Sequence, residues 1–102
     1  MIVIMTAWKS ATRTLLVRAC VEDEDHVLVT TPIVLANSRA RLVSGHGSGR
    51  LVGATSDPSG TEFCRFVFED VNLVGDTNYQ VNVILSTAFT ISSGSFCIST
   101  RR

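Results

Sequence analysis

Four consecutive carboxylates followed by an imidazole form the segment of this chain that is richest in groups able to do chemistry. The residues are Glu22, Asp23, Glu24, Asp25 and His26. Hard cations such as Ca²⁺ are held by several carboxylate and carbonyl oxygens, which come from spaced positions that wrap around the ion. Because these four carboxylates are contiguous, we interpret the segment as a solvated turn and predict no metal ion at it.

Two further chemistries, serine hydrolysis and phosphate binding, need patterns that the chain lacks. Neither His26 nor His46 lies beside a patterned nucleophile, and there is no G-x-S-x-G elbow. Residues 44–50 read S-G-H-G-S-G-R, but a phosphate loop usually ends in GK[ST] and leads into a helix, whereas Arg50 begins a predicted strand. We therefore predict that the protein is not an enzyme and has no cofactor. We interpret His46 and Arg50 as parts of a loop that could order against a partner.

The charge balance excludes some classes of partner. Nine Lys and Arg residues balance nine Asp and Glu residues, and the only adjacent basic pair is Arg101 and Arg102. Binding to a phosphate backbone requires clustered positive charge, so we predict no nucleic-acid partner. A neutral surface also lacks the charge that usually keeps small domains monomeric, which favours self-association.

The start of the chain resembles neither a membrane anchor nor a secretory signal. No segment approaches the roughly 18 consecutive apolar residues of a membrane helix, and the first residues lack a basic region and a long apolar stretch. We therefore expect synthesis in the cytoplasm without a signal peptide, and no membrane insertion.

Three cysteines, Cys20, Cys64 and Cys97, occur without a C-x-x-C pair and without spacing suited to zinc. An odd number in an extracellular protein would leave one thiol unpaired. We predict reduced structural thiols. A Cys64–Cys97 bridge stays open as an alternative for a product that ends up outside the cell.

Apolar and polar residues alternate with a period of two through most of the chain, which predicts β-strands. The pattern predicts short strands over residues 14–21, 27–31, 33–36, 40–43 and 51–55, two more within residues 57–85, and a final pair, 89–91 and 96–100, across the serine-rich residues 92–95. Many short strands separated by turns predict an all-β fold. We expect a single antiparallel β-sandwich of about seven to nine strands, formed by residues 1–102.

Two rows of side chains are predicted to face the core because alternate residues of a strand share a face. The first row is Cys64, Phe66 and Phe68, and the second is Tyr79, Val81, Val83 and Leu85.

Residues 57–83 resemble known families of small β-sandwiches. The order D-x-x-G, aromatic strand, V-x-L, G and Y-x-V-x-V resembles the carboxypeptidase regulatory-like and Cna B-type domains, which are prealbumin-like sandwiches. The matching positions are Asp57, Gly60, Phe66, Phe68, Val71, Leu73, Gly75, Tyr79, Val81 and Val83. Residues 61–64 and 76–78 depart from that pattern, and Tyr79 after Asp76 also resembles the tyrosine corner of immunoglobulin-like domains. Either resemblance implies an accessory or structural module.

The first five residues are apolar on both faces of a predicted strand: Met1, Ile2, Val3, Ile4 and Met5. A strand that is apolar on both faces is buried on both sides. A two-layer sandwich does not bury both faces of a terminal strand. Two accounts stay open. Residues 1–5 are an exchanged or docking arm that a neighbouring subunit covers, or Trp8 and nearby loops cover the strand within one chain.

These features together favour a non-enzymatic structural module that self-associates or docks on a larger protein assembly. A retained initiator Met, a neutral surface and an apolar arm suit a bacteriophage decoration or tail-accessory protein, hence a virion or extracellular assembly. One alternative is a carbohydrate- or cell-surface-binding adhesion module with Trp8 as its aromatic platform. A second alternative is a filament subunit joined by strand donation. The predicted interaction residues are Met1, Ile2, Val3, Ile4, Met5, Trp8, His46 and Arg50.

Overall fold

Seven strands and one short 3₁₀ turn make up the regular structure in a computed structural model that describes residues 1–43, 50–71 and 78–99. The strands are β1 (Ile2–Lys9), β2 (Thr14–Val21), β3 (Arg39–Leu42), β4 (Arg50–Ser56), β5 (Glu62–Phe68), β6 (Asn78–Ser86) and β7 (Ile91–Ser99), and the 3₁₀ turn is Leu35–Asn37. This arrangement confirms the predicted all-β class, and seven strands lie within the predicted range.

The strands form two antiparallel sheets, one in the order β1-β2-β5-β4 and the other in the order β3-β6-β7. The same division of seven strands, four on one sheet and three on the other, is found in constant-type immunoglobulin domains. Buried side chains from both sheets belong to one hydrophobic cluster. The two sheets therefore share a single core.

The two predicted core rows are confirmed. Inward-facing residues of β2 and β5 lie opposite each other in the pairs Leu15–Phe68, Val17–Phe66 and Ala19–Cys64. All of these residues are buried, as are Tyr79, Val81, Val83 and Leu85 on β6. The alternation of apolar residues fixes these faces because a shift of one residue would turn every apolar side chain towards solvent.

The turn between β4 and β5 is organised by one carboxylate. Asp57 Oδ1 accepts hydrogen bonds from the Ser59 hydroxyl at 2.6 Å and from the backbone N–H groups of Ser59 and Thr61, each at 3.0 Å. These donors, the Ser59 hydroxyl first, hold the pKa of Asp57 below its usual range. Gly60 has a φ of +88°, which glycine adopts without steric strain. The D-P-S-G motif is therefore a turn element.

Two strands predicted in the connection between β2 and β3 are wrong. Residues 27–31 and 33–36 form only isolated bridges, Glu22 with Leu28 and Ile33 with Thr87, before the 3₁₀ turn. Pro32 has no N–H to donate to a ladder. The N–H of Ile33 instead donates to Glu62 Oε2 at 2.8 Å, and that of Val34 donates to the Ser86 carbonyl at 2.7 Å.

The predicted final strand pair is also wrong. β7 runs without interruption from Ile91 to Ser99 and pairs with β6 over its full length. The chain reverses instead at residues 87–90, where the Thr87 N–H donates to the Thr90 carbonyl at 2.8 Å. The serine-rich residues therefore lie within an edge strand, whose exposed positions accept small polar side chains.

Candidate docking surfaces

Two chain connections meet at one end of the fold. They are the long connection between β2 and β3 and the tight turn between β6 and β7, joined by the Ile33–Thr87 bridge. If the seven strands are lettered in chain order, these are the B–C and F–G connections. In immunoglobulin variable domains, the same two connections carry antigen-binding loops. The fold thus brings these two connections together at one end.

A groove of about 800 Å³ lies between these connections. It is lined by Met1, Val21, Val29 and residues 22–26, 87 and 89–92. The N–H of Glu22 donates to the Met1 carbonyl at 2.8 Å, which holds the start of β1 beside the acidic turn. We call this surface the end groove.

The β6–β7 turn exposes two large apolar side chains beside the end groove. Phe89 is 85% exposed and Ile91 is 75% exposed, the two largest values among the large apolar residues that the structure describes. Thr87 Oγ1 accepts hydrogen bonds from the N–H groups of Phe89, at 3.3 Å, and Thr90, at 3.1 Å. The turn that carries Phe89 is therefore held by local hydrogen bonds.

The acidic run forms a turn, as the sequence predicts. Asp23 Oδ1 accepts hydrogen bonds from the N–H groups of Asp25 at 2.9 Å and Val27 at 3.0 Å. Glu22 Oε1 lies 3.3 Å from His26 Nδ1. Neither the Glu24 nor the Asp25 side chain has a hydrogen-bond or ion-pair partner among the described residues. Two carboxylates at the rim of the end groove are thus uncompensated.

A second surface lies on the outer face of the four-stranded sheet. Arg18 on β2 and Arg65 on β5 are direct partners in the strand register. Arg18 donates to Met5 Sδ at 3.8 Å and lies 5.9 Å from the centroid of the Phe63 ring. A cleft of about 310 Å³ opens between β1, β2, β4 and β5 beside both arginines. We call this surface the arginine face.

The arginine face has no acidic partner within the part of the chain that the structure describes. Among the described residues, arginines form ion pairs elsewhere: Arg13 with Asp70 at 3.6 Å and Arg50 with Glu69 at 2.8 Å. The Nε of Arg65 is buried and has no hydrogen-bond partner among the described residues. Alternation with the buried Val17 and Phe66 puts Arg18 and Arg65 on the outward faces of their strands, but only the pairing register reveals that they are neighbours.

The residues of the predicted arm have different positions. Met1 lines the end groove, Ile2 belongs to the core, and Met5 lines the cleft of the arginine face. Val3 and Ile4 are half-buried. Strand β1, which contains residues 2–5, pairs along its whole length with β2 of the same chain, from Ile2–Val21 to Lys9–Thr14. An exchange of this strand between subunits stays a prediction.

Two other predicted interaction residues that the structure describes, Trp8 and Arg50, line neither surface. Trp8 is partly buried and packs against the core. Arg50, on β4, is committed to the ion pair with Glu69. His46 lies outside the described residues, as do the other residues of the loop at 44–49.

The three thiols are free and occupy different environments. Cys20 and Cys64 are buried, and Cys97 is exposed on β7, so the alternative Cys64–Cys97 bridge is not formed. Burial raises the pKa of Cys64 to about 11. Burial, together with the charges of Glu22 and Asp57, also raises the pKa of Cys20. Buried thiols with raised pKa values are poor nucleophiles.

Clustered metal ligands and membrane-spanning helices were both sought in the described residues. Residues 1–43, 50–71 and 78–99 contain no group of three or more His, Cys, Asp or Glu side chains placed to hold a metal ion. No helix in the same residues has the length and apolar character needed to cross a membrane.

Comparison of the chain with protein-family models, curated proteins and solved structures finds no match. The resemblance to prealbumin-like or immunoglobulin-like families stays a prediction from the motif order.

Proposed function

We propose that this protein is a non-enzymatic structural module that associates with further copies of itself through the end groove. The observation that carries the proposal is the exposure of Phe89 and Ile91 on a braced turn beside that groove. Large exposed apolar side chains grouped at one place mark interaction sites on soluble proteins.

The local hydrogen bonds of the β6–β7 turn favour its use in binding. Association loses free energy when flexible loops must be ordered. Here the Thr87 hydroxyl accepts a hydrogen bond from the Thr90 N–H, and the Thr87 N–H donates to the Thr90 carbonyl. These contacts already hold the turn that carries Phe89. An aromatic side chain presented in this way can serve as the anchor of an interface.

The distribution of charge supports a second copy as the partner. The chain has a formal net charge of zero, so copies do not repel each other overall. Carboxylates without an ion-pair partner among the described residues nevertheless lie at the end groove, and guanidinium groups without an acidic partner among those residues lie on the sheet. Complementary patches steer and orient an encounter between proteins.

The His26 ring lies beside an acidic side chain. In the described part of the chain, its Nδ1 contacts the Glu22 carboxylate, and no hydroxyl or thiol group hydrogen-bonds to the ring. A nucleophile activated by histidine would require such a contact.

The adhesion alternative has less support. It assigned the aromatic platform to Trp8, which packs against the core. A bacteriophage virion is one setting in which a self-associating module would serve, and we propose it from the sequence features alone.

Size-exclusion chromatography with light scattering, run over a concentration series, tests the proposal. We expect the average mass to rise with concentration, and Phe89→Asp to reduce that rise strongly. Val52→Asp is the matched control, because Val52 is an exposed apolar residue on β4, outside the end groove. A wild-type chain that stays monomeric to about 1 mM, hence with a self-affinity weaker than about −4 kcal/mol, would overturn the proposal.

A further inference from the structure

We infer that the end groove of one copy docks on the arginine face of a second copy, where Arg18 and Arg65 receive the carboxylates of Glu24 and Asp25. This inference rests on the proposed self-association and identifies the two surfaces that meet. The partner at both surfaces is another copy of the chain.

The first argument is the position of the two arginines. Arg18 and Arg65 are direct cross-strand partners, so their Cβ atoms are about 4.5–5.5 Å apart. Like charges placed opposite each other destabilise a sheet, and a guanidinium group stays charged at all ordinary pH values. Acidic groups from outside the described chain would relieve this repulsion.

The second argument is an unsatisfied donor. Among the described residues, one buried side-chain nitrogen or oxygen atom lacks a hydrogen-bond partner. This atom is Nε of Arg65. Buried donors in folded proteins are almost always paired. A carboxylate can accept two parallel hydrogen bonds from one guanidinium group. Because Nε is buried, the Arg65 side chain must turn outward before an incoming acidic side chain can pair with this donor.

The third argument is the apolar setting of the arginines. Arg18 contacts Met5 and the Phe63 ring, and Leu16 lines the same cleft. Interfaces combine arginine with aromatic residues and methionine. The arginine face therefore offers apolar contact to Phe89 and Ile91 as well as charge to the carboxylates.

A second pair of neighbouring arginines in the described chain lacks these features. Arg39 and Arg41 lie on β3, opposite Ile84 and Asn82, and both arginines are exposed. Neither has a buried nitrogen without a partner. This pair carries the same charge on the other sheet and provides a matched control.

A contact between the end of one copy and the sheet face of the next is heterologous, since it uses two different surfaces. Such contacts build rings when the rotation closes and open chains when it does not. Each copy inside the assembly therefore contacts one neighbour through its end groove and another through its arginine face.

The first test compares charge reversals on the two sheets. We expect R18E/R65E to raise the apparent dissociation constant of self-association about tenfold or more, whereas R39E/R41E changes it less than about twofold. R18Q/R65Q removes the charge without reversing it and serves as a milder variant if the double reversal fails to fold. Self-association of folded R18E/R65E or R18Q/R65Q at wild-type strength would overturn the inference.

The second test is complementation between two disabled chains. E24Q/D25Q removes the charge of the groove end, and R18E/R65E reverses the charge of the sheet face, so the disabled surfaces do not complement each other in the mixture. If both variants are monomeric alone, we expect their mixture to form 1:1 dimers and nothing larger, because only one productive contact remains. A mixture that stays monomeric would overturn the inference.

The outcomes separate the inference from the proposal on which it rests. A monomeric wild-type chain contradicts self-association itself. A wild-type chain that self-associates, loses this in Phe89→Asp and keeps it in R18E/R65E contradicts only the assignment of the arginine face.

Discussion

The ring of Phe96 lies against the backbone of Gly94, two residues earlier on β7. A Cβ atom at position 94 would lie 2.8 Å from both Cε2 and Cζ of Phe96, and 3.8 Å from Cβ of Ile2 on β1. Gly94 therefore makes room for a ring that packs against the core where the first and last strands approach each other.

We expect Gly94→Ala to turn the Phe96 ring away from its rotamer and to lower the free energy of unfolding by about 0.5–1.5 kcal/mol, because the conflict is with the far end of a side chain. Urea denaturation measures the change. Ser93→Ala, at an exposed neighbouring position, should change it by less than about 0.5 kcal/mol. In Phe96→Leu the ring is absent, so Gly94→Ala should cost less in that background; an equal cost in both backgrounds would contradict steric conflict with the ring.

The sequence was sufficient to predict the parts of the fold in which local pattern and burial agree. The alternation around Phe66 and Val81 predicts core strands because a register shift of one residue would turn either side chain towards solvent. The connection between β2 and β3 was not predictable in this way. The carboxylate that accepts the Ile33 N–H belongs to Glu62, 29 residues later in the chain.

The candidate site was less predictable than the fold for a related reason. The acidic turn could be read from adjacent residues, but the pairing of Arg18 with Arg65 depends on the register between two strands 47 positions apart in sequence. The serines of β7 resemble a turn in composition, and only their pairing with β6 shows that they continue a strand.

The hydrogen bond from Ile33 to Glu62 predicts a measurable difference between two substitutions. Glu62→Ala removes the acceptor and leaves a partly buried N–H unpaired, so we expect a loss of about 1–3 kcal/mol in the free energy of unfolding. Glu62→Gln keeps an oxygen at the same position and should cost less. Equal losses from both substitutions would show that the hydrogen bond contributes little.

The three thiols should react at very different rates in the folded protein. Cys97 is exposed, whereas Cys20 and Cys64 are buried and have raised pKa values, so only Cys97 should be modified quickly by a thiol reagent at pH 8. Mass spectrometry of the labelled protein counts the modified residues. Cys97→Ser should abolish the fast phase, and denaturant should expose the two slow thiols. Fast modification of more than one thiol in the native protein would contradict this assignment.

The raised pKa of Cys64 predicts a loss of stability in alkaline solution. The thiol ionises near its ordinary value of 9.0 when the chain is unfolded but only at about 11 when it is folded. Between these two values the unfolded state has lost this proton and the folded state retains it, so the free energy of unfolding falls as the pH rises. A difference of two pKa units corresponds to a decrease on the order of 2–3 kcal/mol.

Urea denaturation from pH 8 to 11 under reducing conditions measures this decrease. Cys64→Ala removes the titrating thiol, so its free energy of unfolding should fall less steeply over the same interval. Cys97→Ala is the control for removing a thiol outside the core, since Cys97 is exposed. The other groups that titrate in this range are common to the wild type and Cys64→Ala, and the difference between their slopes therefore isolates Cys64. Identical slopes for the wild type and Cys64→Ala would show that the folded protein does not protect this thiol from ionisation.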